Sequence, residues 1–422
     1  MTTAPTLTAP SATAPTLSDL HALDAAAMPS IFTLPEDVAL LRDEVREFAR
    51  TRLRPRVLDN DLAAADDFDW DIVRAGHELG LLRLTIPKEL GGRGVGVLGV
   101  AVAMEELAAV CASTALIFGA SMLGATAVLF SGDPQLQARF IPPFLGDEPV
   151  LACNAVTEEV AGCDLLIPAH AADAAEVMTA RRDGDHFVLN GIKRFITNGK
   201  VAQWATVFAN LEGYPGATGM TVFVVPLDNP GVVRGAVADK MGYRACLGTT
   251  LEFHDVRVPE ENIVFGEANG WGYLNVQSNQ ARTIVAAIST GVARGAFDIA
   301  KDWAGERVQG GKPLSEQQFT ARKLAEMAAK VEASRLLYLQ AAYQAENMLP
   351  APVFGAAVAK LFADRAAIEV AEEAMSIVGA RGYCREYGLE KLVRESFGAR
   401  IYEGTPEVLA LAITDSLYGR RQ

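Results

Sequence analysis

The spacing of hydrophobic residues changes twice along the chain. From about residue 34 to 147, apolar side chains recur every 3.6 positions, which predicts amphipathic helices. Between about 151 and 264, short runs rich in β-branched and aromatic residues are separated by turn residues, which predicts a sheet or small barrel. After Gly270 the helical period returns in long stretches. Strands grouped in the middle of the chain are not the βαβ alternation of a doubly wound fold.

These changes in pattern predict the domain boundaries. Residues 1–32, with a repeated Thr-Ala-Pro pattern, are expected to be a disordered tail. We expect a helical domain over 33–150, a β domain over 151–264 and a helical bundle over 265–422. Asn190-Gly191 is predicted to form a tight hairpin turn, and Ser315 with Gln318 fits a capping box at the start of a helix.

Charge and composition argue against several classes of partner. The 38 basic and 52 acidic residues give a net charge of −14, which disfavours nucleic acid and anionic lipid as partners. The uncharged run 107–130 is long enough to cross a bilayer. It is rich in small residues and has no flanking Lys or Arg, so we expect one or two buried helices and no membrane association.

The cysteines suggest the compartment and argue against a metal site. The five cysteines are scattered, without a CxxC spacing, and none of the five histidines stands at ligand spacing. This pattern favours reduced thiols in the cytoplasm and no bound metal. No GxGxxG motif follows a predicted strand, as a dinucleotide-binding fold would require, and P-loop, GxSxG and HExxH motifs are missing from the sequence.

Five segments carry the candidate chemistry. They are 152–164 (ACNAVTEEVAGCD), 190–199 (NGIKRFITNG), 240–244 (KMGYR) with 253–262, 307–313 (RVQGGKP) and 401–406 (IYEGTP). In this order and spacing they resemble the flavin-dependent acyl-CoA dehydrogenase family, over about residues 36 to 418. The resemblance implies an α+β multi-domain fold with an N-terminal helical domain, a central β-barrel or sheet domain and a C-terminal four-helix bundle.

The resemblance implies that Glu403 is the catalytic base. It would remove the α-proton of an acyl thioester while hydride leaves the β-carbon for N5 of FAD, giving a 2-enoyl thioester. Thr405 suits a helix N-cap and Pro406 the first helical position, so Glu403 is expected on the loop that enters a helix. An apolar pocket there would raise its pKa. Some relatives place the base before the arginine that matches Arg282, but here that residue is Ala281.

The flavin and substrate contacts are also implied by the resemblance. The cofactor-binding residues would be Asn154, Val156, Thr157, Gly162, Cys163, Phe195, Ile196, Thr197, Arg307, Gln309, Gln318, Ser376, Gly379, Thr405 and Glu407. The substrate-binding residues would be Cys163, Asn279, Arg282, Tyr402 and Gly404. Of the flavin set, Arg307, Gln309 and Gln318 match residues that reach the FAD of a neighbouring subunit. A homotetramer and an electron-transfer flavoprotein as acceptor follow from the same resemblance.

Departures from the family pattern leave other functions open. Glu159, Val160 and Cys163 stand where the family has Pro, Gly and Ser, and valine does not readily adopt a positive φ, so this loop is expected to take a different path. An inward-facing Arg400 would lower the pKa of Glu403 or bind an acidic substrate. The alternatives are a carrier-protein-bound or cyclic acyl substrate, a flavin oxidase or monooxygenase, and a flavin-free scaffold.

Overall fold

The computed structural model describes residues 33–419, except 168, 169, 171, 175, 176 and 349. The predicted disordered tail, 1–32, lies outside the described residues. Residues 33–35 carry no helix or strand. All elements below belong to the compact unit formed by Glu36–Gln422.

Within the described residues, six α-helices precede the sheet. They are α1 Glu36–Phe48, α2 Val57–Leu62, α3 Trp70–Glu78, α4 Gly96–Ala108, α5 Ala112–Ser131 and α6 Pro134–Phe140. Asp69 and Asp133 cap α3 and α6, where their carboxylates accept hydrogen bonds from backbone N–H groups of the first turn. The apolar stripe of α1, at Val38, Leu41, Val45 and Phe48, is buried as its spacing predicts.

The long uncharged run forms the end of α4 and most of α5, as predicted for buried helices. In the part of the chain that the structure describes, two helices, α5 and Gly270–Glu306, are long and apolar enough to cross a membrane. However, 67% and 72% of the most apolar 18-residue stretch of each helix, respectively, is buried inside the protein. Their hydrophobic residues therefore serve the protein core.

The central region is a sheet of eight strands. They are β1 Ala152–Ala155, β2 Thr179–Asp183, β3 His186–Thr197, β4 Trp204–Leu211, β5 Met220–Pro226, β6 Val232–Val237, β7 Gly248–Pro259 and β8 Ile263–Val264. The strand order is β6-β7-β3-β2-β4-β5-β8, and β1 pairs in parallel with β4. One face buries Phe187, Phe223 and Phe253 in a core of its own.

The predicted Asn190-Gly191 hairpin turn is wrong. Both residues lie inside β3, where the register against β7 shifts between Leu189 and Gly191. The Asn190 side chain accepts a hydrogen bond from the Asp255 backbone N–H at 2.9 Å across this irregularity. The dipeptide therefore marks a β-bulge, which uses the same backbone freedom as a turn. The chain reverses instead before β3, where Gly184 has a φ of 67°.

The C-terminal region is a helical bundle. Its helices are α7 Gly270–Glu306, α8 Gln318–Asn347, α9 Val353–Val378, α10 Leu389–Gly398 and α11 Pro406–Leu417, and a small hairpin of β9 Val308–Gln309 and β10 Lys312–Pro313 joins α7 to α8. Gly291 and Gly295 bring α7 against the backbone of Glu105 and Ala109 so closely that a Cβ would collide. The predicted order of helical, sheet and helical regions is confirmed.

The predicted capping box is also wrong. Helix α8 begins at Gln318 with Gln317 as its N-cap, and no side chain caps it. Ser315 lies one turn earlier, in a 3₁₀ turn over Leu314–Glu316. Gln317 donates instead to the Gln309 carbonyl at 3.0 Å, so contacts with the β9–β10 hairpin set the start of this helix.

Candidate active site

A cavity of about 1060 Å³ lies where the sheet meets α4, α5 and α7 and the loop before α11. It collects residues from four of the five candidate segments. Of the predicted site residues, those on its wall are Asn154, Val156, Thr157, Gly162, Cys163, Phe195, Ile196, Thr197, Tyr402, Glu403, Gly404 and Thr405. Segments that are far apart in the sequence thus line the same cavity.

Glu403 lies on the cavity wall, in the loop between α10 and α11. Its φ is 56°, a left-handed conformation that is strained in residues other than glycine and occurs at functional sites. Burial raises the pKa of the Glu403 carboxyl above its ordinary value, while the charges of Arg282 and Lys360 oppose part of the rise. Helix α11 then begins with Thr405 as N-cap and Pro406 in its first turn, as predicted.

Arg282 on α7 contacts the loop that bears Glu403. Its side chain is only 4% exposed, and its Nε donates to the Glu403 carbonyl at 3.4 Å while Nη1 donates to Asn279 Oδ1 at 3.3 Å. Burial lowers the pKa of Arg282, and the nearby Glu403 and Cys163 oppose this. Asn279 therefore supports Arg282 and is not itself on the cavity wall.

Two tyrosines pack beside the acid. The rings of Tyr243 and Tyr402 meet edge to face at 6.1 Å, with their hydroxyl oxygens 3.4 Å apart. Burial raises the pKa of both phenols, so both are neutral at physiological pH. Tyr243, like Glu403, has a positive φ, of 55°. Its segment was identified from the sequence, but no role was predicted for Tyr243.

The loop with the altered family motif, residues 157–164, is held in place by a buried lysine. Lys193 on β3 is fully buried and donates to Glu158 Oε1 and to the Val156 carbonyl, both at 2.8 Å. The Glu158 N–H donates to the Ala161 carbonyl at 2.9 Å, which closes a turn across the altered positions. Neither Glu159 nor Val160 has a positive φ, as expected for a loop without the Pro-Gly turn. Cys163 follows on the cavity wall.

The segment at the end of β3 presents an aromatic side chain to the cavity. Phe195 has a φ of 58° and is 64% exposed, an unusual state for a large apolar residue. The register of β3 against β7 shifts between Lys193 and Ile196, so a bulge presents this ring. Ile196 and Thr197 continue the same wall.

The cavity wall carries buried polar atoms that lack a partner within the described residues. They are Thr85 Oγ1, Asn154 Oδ1 and Ser278 Oγ. Because buried polar groups are almost always hydrogen-bonded, these atoms point to a bound polar molecule. Together with the exposed Phe195 ring, they fit a flat group with polar edges such as the flavin of FAD.

The remaining predicted contacts lie outside the cavity. Arg307, Gln309, Gln318, Ser376, Gly379 and Glu407 are exposed. Ser376 accepts a hydrogen bond from Lys323 at 2.8 Å. These residues were assigned to the outer parts of FAD, including the FAD of a neighbouring subunit, and that assignment stays a prediction. Arg400 is exposed and contributes no charge effect on the Glu403 pKa.

A buried ion pair that was not predicted from the sequence contacts the loop that bears Glu403. Lys360 on α9 is fully buried and donates to Asp364 Oδ2 at 2.8 Å. Their i,i+4 spacing in an alanine-rich helix was the available signal, because charged residues on an apolar helix face need a buried partner. Within the part of the chain that the structure describes, no group of His, Cys, Asp or Glu could hold a metal ion.

The cavity fits a flavin and has the Glu403 carboxyl on its wall, in a chain of helical, sheet and helical regions, and together these features indicate a flavin-dependent oxidoreductase. Family models extend this conclusion to nearly the whole chain. The N-terminal, middle and C-terminal domains of acyl-CoA dehydrogenase match residues 35–148, 153–256 and 268–418. The chain belongs to the acyl-CoA dehydrogenase family, whose members use FAD.

Individual relatives agree with the family. The cyclohex-1-ene-1-carbonyl-CoA dehydrogenase of Geobacter metallireducens is 36% identical over 89% of this chain and 96% of its own. Butyryl-CoA dehydrogenase from Megasphaera elsdenii has a similar structure, with a TM-score of 0.85, 30% identity and coverage of 92% of this chain and 100% of that one. A glutaryl-CoA dehydrogenase from Mycobacterium smegmatis in complex with FADH2 gives a TM-score of 0.82, at 26% identity over 92% and 95% of the two chains.

Proposed function

We propose that this protein dehydrogenates an acyl-CoA thioester at its α and β carbons, with Glu403 as the base that removes the α-proton. Bound FAD supplies the hydride acceptor. The observation that carries the proposal is the Glu403 carboxyl, which lies on the cavity wall with a raised pKa. A base whose pKa approaches the working pH accepts a proton more effectively than an ordinary carboxylate.

The neighbouring groups suit this role. Ala281, where some relatives carry the base, lies on the same wall and cannot take a proton, so of these two positions Glu403 is the one that can act as the base. The backbone N–H of Glu403 would hold the thioester carbonyl, where negative charge develops as the α-proton leaves. The neutral Tyr243 and Tyr402 add no negative charge to oppose ionisation of Glu403 before the reaction.

The acyl group is proposed to be a hydrocarbon. The part of the cavity formed by α4, α5 and α7 is lined by apolar side chains such as Val100, Leu116, Ile284 and Ile288. Relatives named for butyryl-CoA and for cyclohex-1-ene-1-carbonyl-CoA support short linear or cyclic acyl groups. We also infer a homotetramer in the cytoplasm, with an electron-transfer flavoprotein as acceptor.

Anaerobic bleaching of the flavin tests the proposal. The FAD-loaded protein would be mixed with butyryl-CoA, cyclohex-1-ene-1-carbonyl-CoA and glutaryl-CoA, and the flavin absorbance followed. Glu403→Gln should keep FAD and bind the same thioester, yet lose bleaching by about 10³-fold or more because the amide accepts no proton. Glu386→Gln, a matched change at an exposed acid outside the cavity, should bleach like the wild type.

Other outcomes would replace the proposal. A purified protein that takes up no FAD would favour the scaffold. Rapid reoxidation of the bleached flavin by oxygen would favour an oxidase. Bleaching by a carrier-protein thioester but by no CoA thioester would show that the substrate is bound to a carrier protein and not to CoA. Full activity of Glu403→Gln would place the base elsewhere.

A further inference from the structure

The loop that bears Glu403 is tied at both ends by one ammonium group. Lys360 Nζ donates to the Ala399 carbonyl at 2.8 Å and to the Gly404 carbonyl at 3.0 Å. Its third donor goes to Asp364 Oδ2 at 2.8 Å. All three hydrogens of a fully buried lysine are thus used, and two of them hold backbone atoms on either side of Glu403.

The partner of this lysine is itself held in place. The second carboxylate oxygen of Asp364 accepts a hydrogen bond from Ser289 Oγ on α7 at 2.6 Å. The same helix carries Arg282, which donates to the Glu403 carbonyl. The base loop is therefore hydrogen-bonded to Lys360 of α9 and Arg282 of α7, which are further connected through the Asp364–Ser289 hydrogen bond.

A second buried pair shows that such contacts are not a general consequence of burial. Lys391 and Glu395 on α10 have the same i,i+4 spacing and are also buried. However, Lys391 contacts Cys111 Sγ at 3.4 Å, and Glu395 accepts hydrogen bonds from Ser113 and the backbone at the start of α5. That pair joins two helices, whereas the Lys360 pair holds the base loop.

We propose that Lys360 is a positioning residue for the reaction, which holds the strained loop so that the Glu403 carboxyl faces the substrate and sets the charge around that carboxyl. Asp364 and Ser289 orient Lys360 for this role. The inference rests on the proposed function, since it takes Glu403 as the base. A lysine suits this position because its ammonium group can donate to two carbonyls and a carboxylate at once.

The charges around Glu403 predict the direction of the effect on its titration. The charged groups acting on Glu403 are Arg282 of α7 and Lys360 of α9, both of which lower its pKa against the effect of burial. Tyr402, the adjacent phenol, is neutral, and Asp364 is paired with Lys360. Removing the Lys360 charge should raise the Glu403 pKa further, whereas removing the Asp364 charge should lower it.

The test compares two variants of this ion pair with a matched control. Lys360→Met with Asp364→Asn removes the ion pair at similar volume. Asp364→Asn alone keeps the donor to both carbonyls. Lys391→Met with Glu395→Gln removes the other buried pair. The measurements are flavin bleaching by butyryl-CoA against pH, and the infrared carbonyl band of the Glu403 acid, assigned by its loss in Glu403→Gln.

The expected results differ in size and sign. The Lys360 double variant should bleach about tenfold to a hundredfold more slowly, the range expected when a reacting group is misplaced by about 1 Å. The acidic limb of its pH–rate profile should move to higher pH, because the lost Lys360 charge acts on Glu403 directly and outweighs the lost Asp364 charge. Asp364→Asn should move the limb to lower pH. The Lys391 double variant should melt at a lower temperature with the limb of the wild type.

Three results would overturn the inference. The first is an acidic limb and infrared band in the Lys360 double variant that match the wild type. The second, which applies even if the double variant does not fold, is an unchanged limb in Asp364→Asn. The third is a limb in the Lys391 double variant that moves like that of the Lys360 double variant. If the flavin of Glu403→Gln bleaches normally, the proposed base is wrong. If Glu403→Gln is inactive but the Lys360 variants behave like the wild type, only the positioning role is refuted.

Discussion

Replacing Glu105 by Gln is expected to lower the free energy of unfolding by about 3 kcal/mol at pH 7. Glu105 lies on α4, is 3% exposed, and accepts hydrogen bonds from Tyr338 at 2.5 Å and from Arg335 Nη2 at 2.7 Å. Arg294 of α7 adds a second cation at 3.4 Å. The acid thus joins α4, one wall of the cavity, to α7 and α8.

The magnitude follows from the titration of this acid. Burial alone would raise the Glu105 pKa, but Arg335, Arg294 and the Tyr338 hydroxyl lower it from 4.5 to about 2. At about 1.4 kcal/mol per pH unit, the difference corresponds to about 3 kcal/mol. Because the folded pKa is depressed, this stability is complete above the unfolded value of 4.5 and is lost as the pH falls towards 2.

Urea unfolding of the holoprotein at pH 7 and pH 3.5 measures the effect. The difference between the wild type and Glu105→Gln should shrink to about 2 kcal/mol at pH 3.5, since a protonated Glu105 resembles glutamine. Glu332→Gln removes an exposed acid from the same Arg335 and should cost about 0.5 kcal/mol or less. A difference that is equal at both pH values, or equal in the two variants, would refute the reasoning.

Three further predictions concern the cavity. Lys193→Met with Glu158→Gln should weaken FAD retention, because the buried pair supports the loop on the cavity wall, and flavin fluorescence after gel filtration would show free FAD. Gly119→Leu should lower the bleaching rate by cyclohex-1-ene-1-carbonyl-CoA more than by butyryl-CoA, because a Cβ fits against Met104 and the larger side chain enters the cavity. Bleaching by any thioester should fall as the pH drops through the raised pKa of Glu403, and an acidic limb at the ordinary glutamate value would contradict this.

Periodicity predicted the three-part fold because each region buries one face at the spacing of its own secondary structure. The apolar stripe of α1 and the strands around Phe187 and Phe223 were evident from the sequence alone. Local turn signals were less reliable. Asn190-Gly191 and Ser315 carry the right chemistry for a turn and a cap, but cross-strand pairing with Asp255 and the position of the β9–β10 hairpin placed them elsewhere.

The site was predicted as far as it consists of contiguous motifs. Glu403, Thr157 and Phe195 were identified from short segments, and the fold brings them to one cavity. The positive φ of Glu403 was not foreseen, because an isolated glutamate favours other conformations. The chain must hold this residue in place through contacts distant in sequence, which motif comparison does not reveal.

Those distant contacts explain how an acid that is half-buried can also be strained. A left-handed φ costs about 1–2 kcal/mol, and burial of the carboxyl adds to the cost. The hydrogen bonds from Lys360 to the Ala399 and Gly404 carbonyls, and from Arg282 to that of Glu403, offset this cost within the loop itself. The same two cations limit the rise in the Glu403 pKa. Position and basicity of the acid therefore depend on the same side chains, so mutations at either cation should change both together.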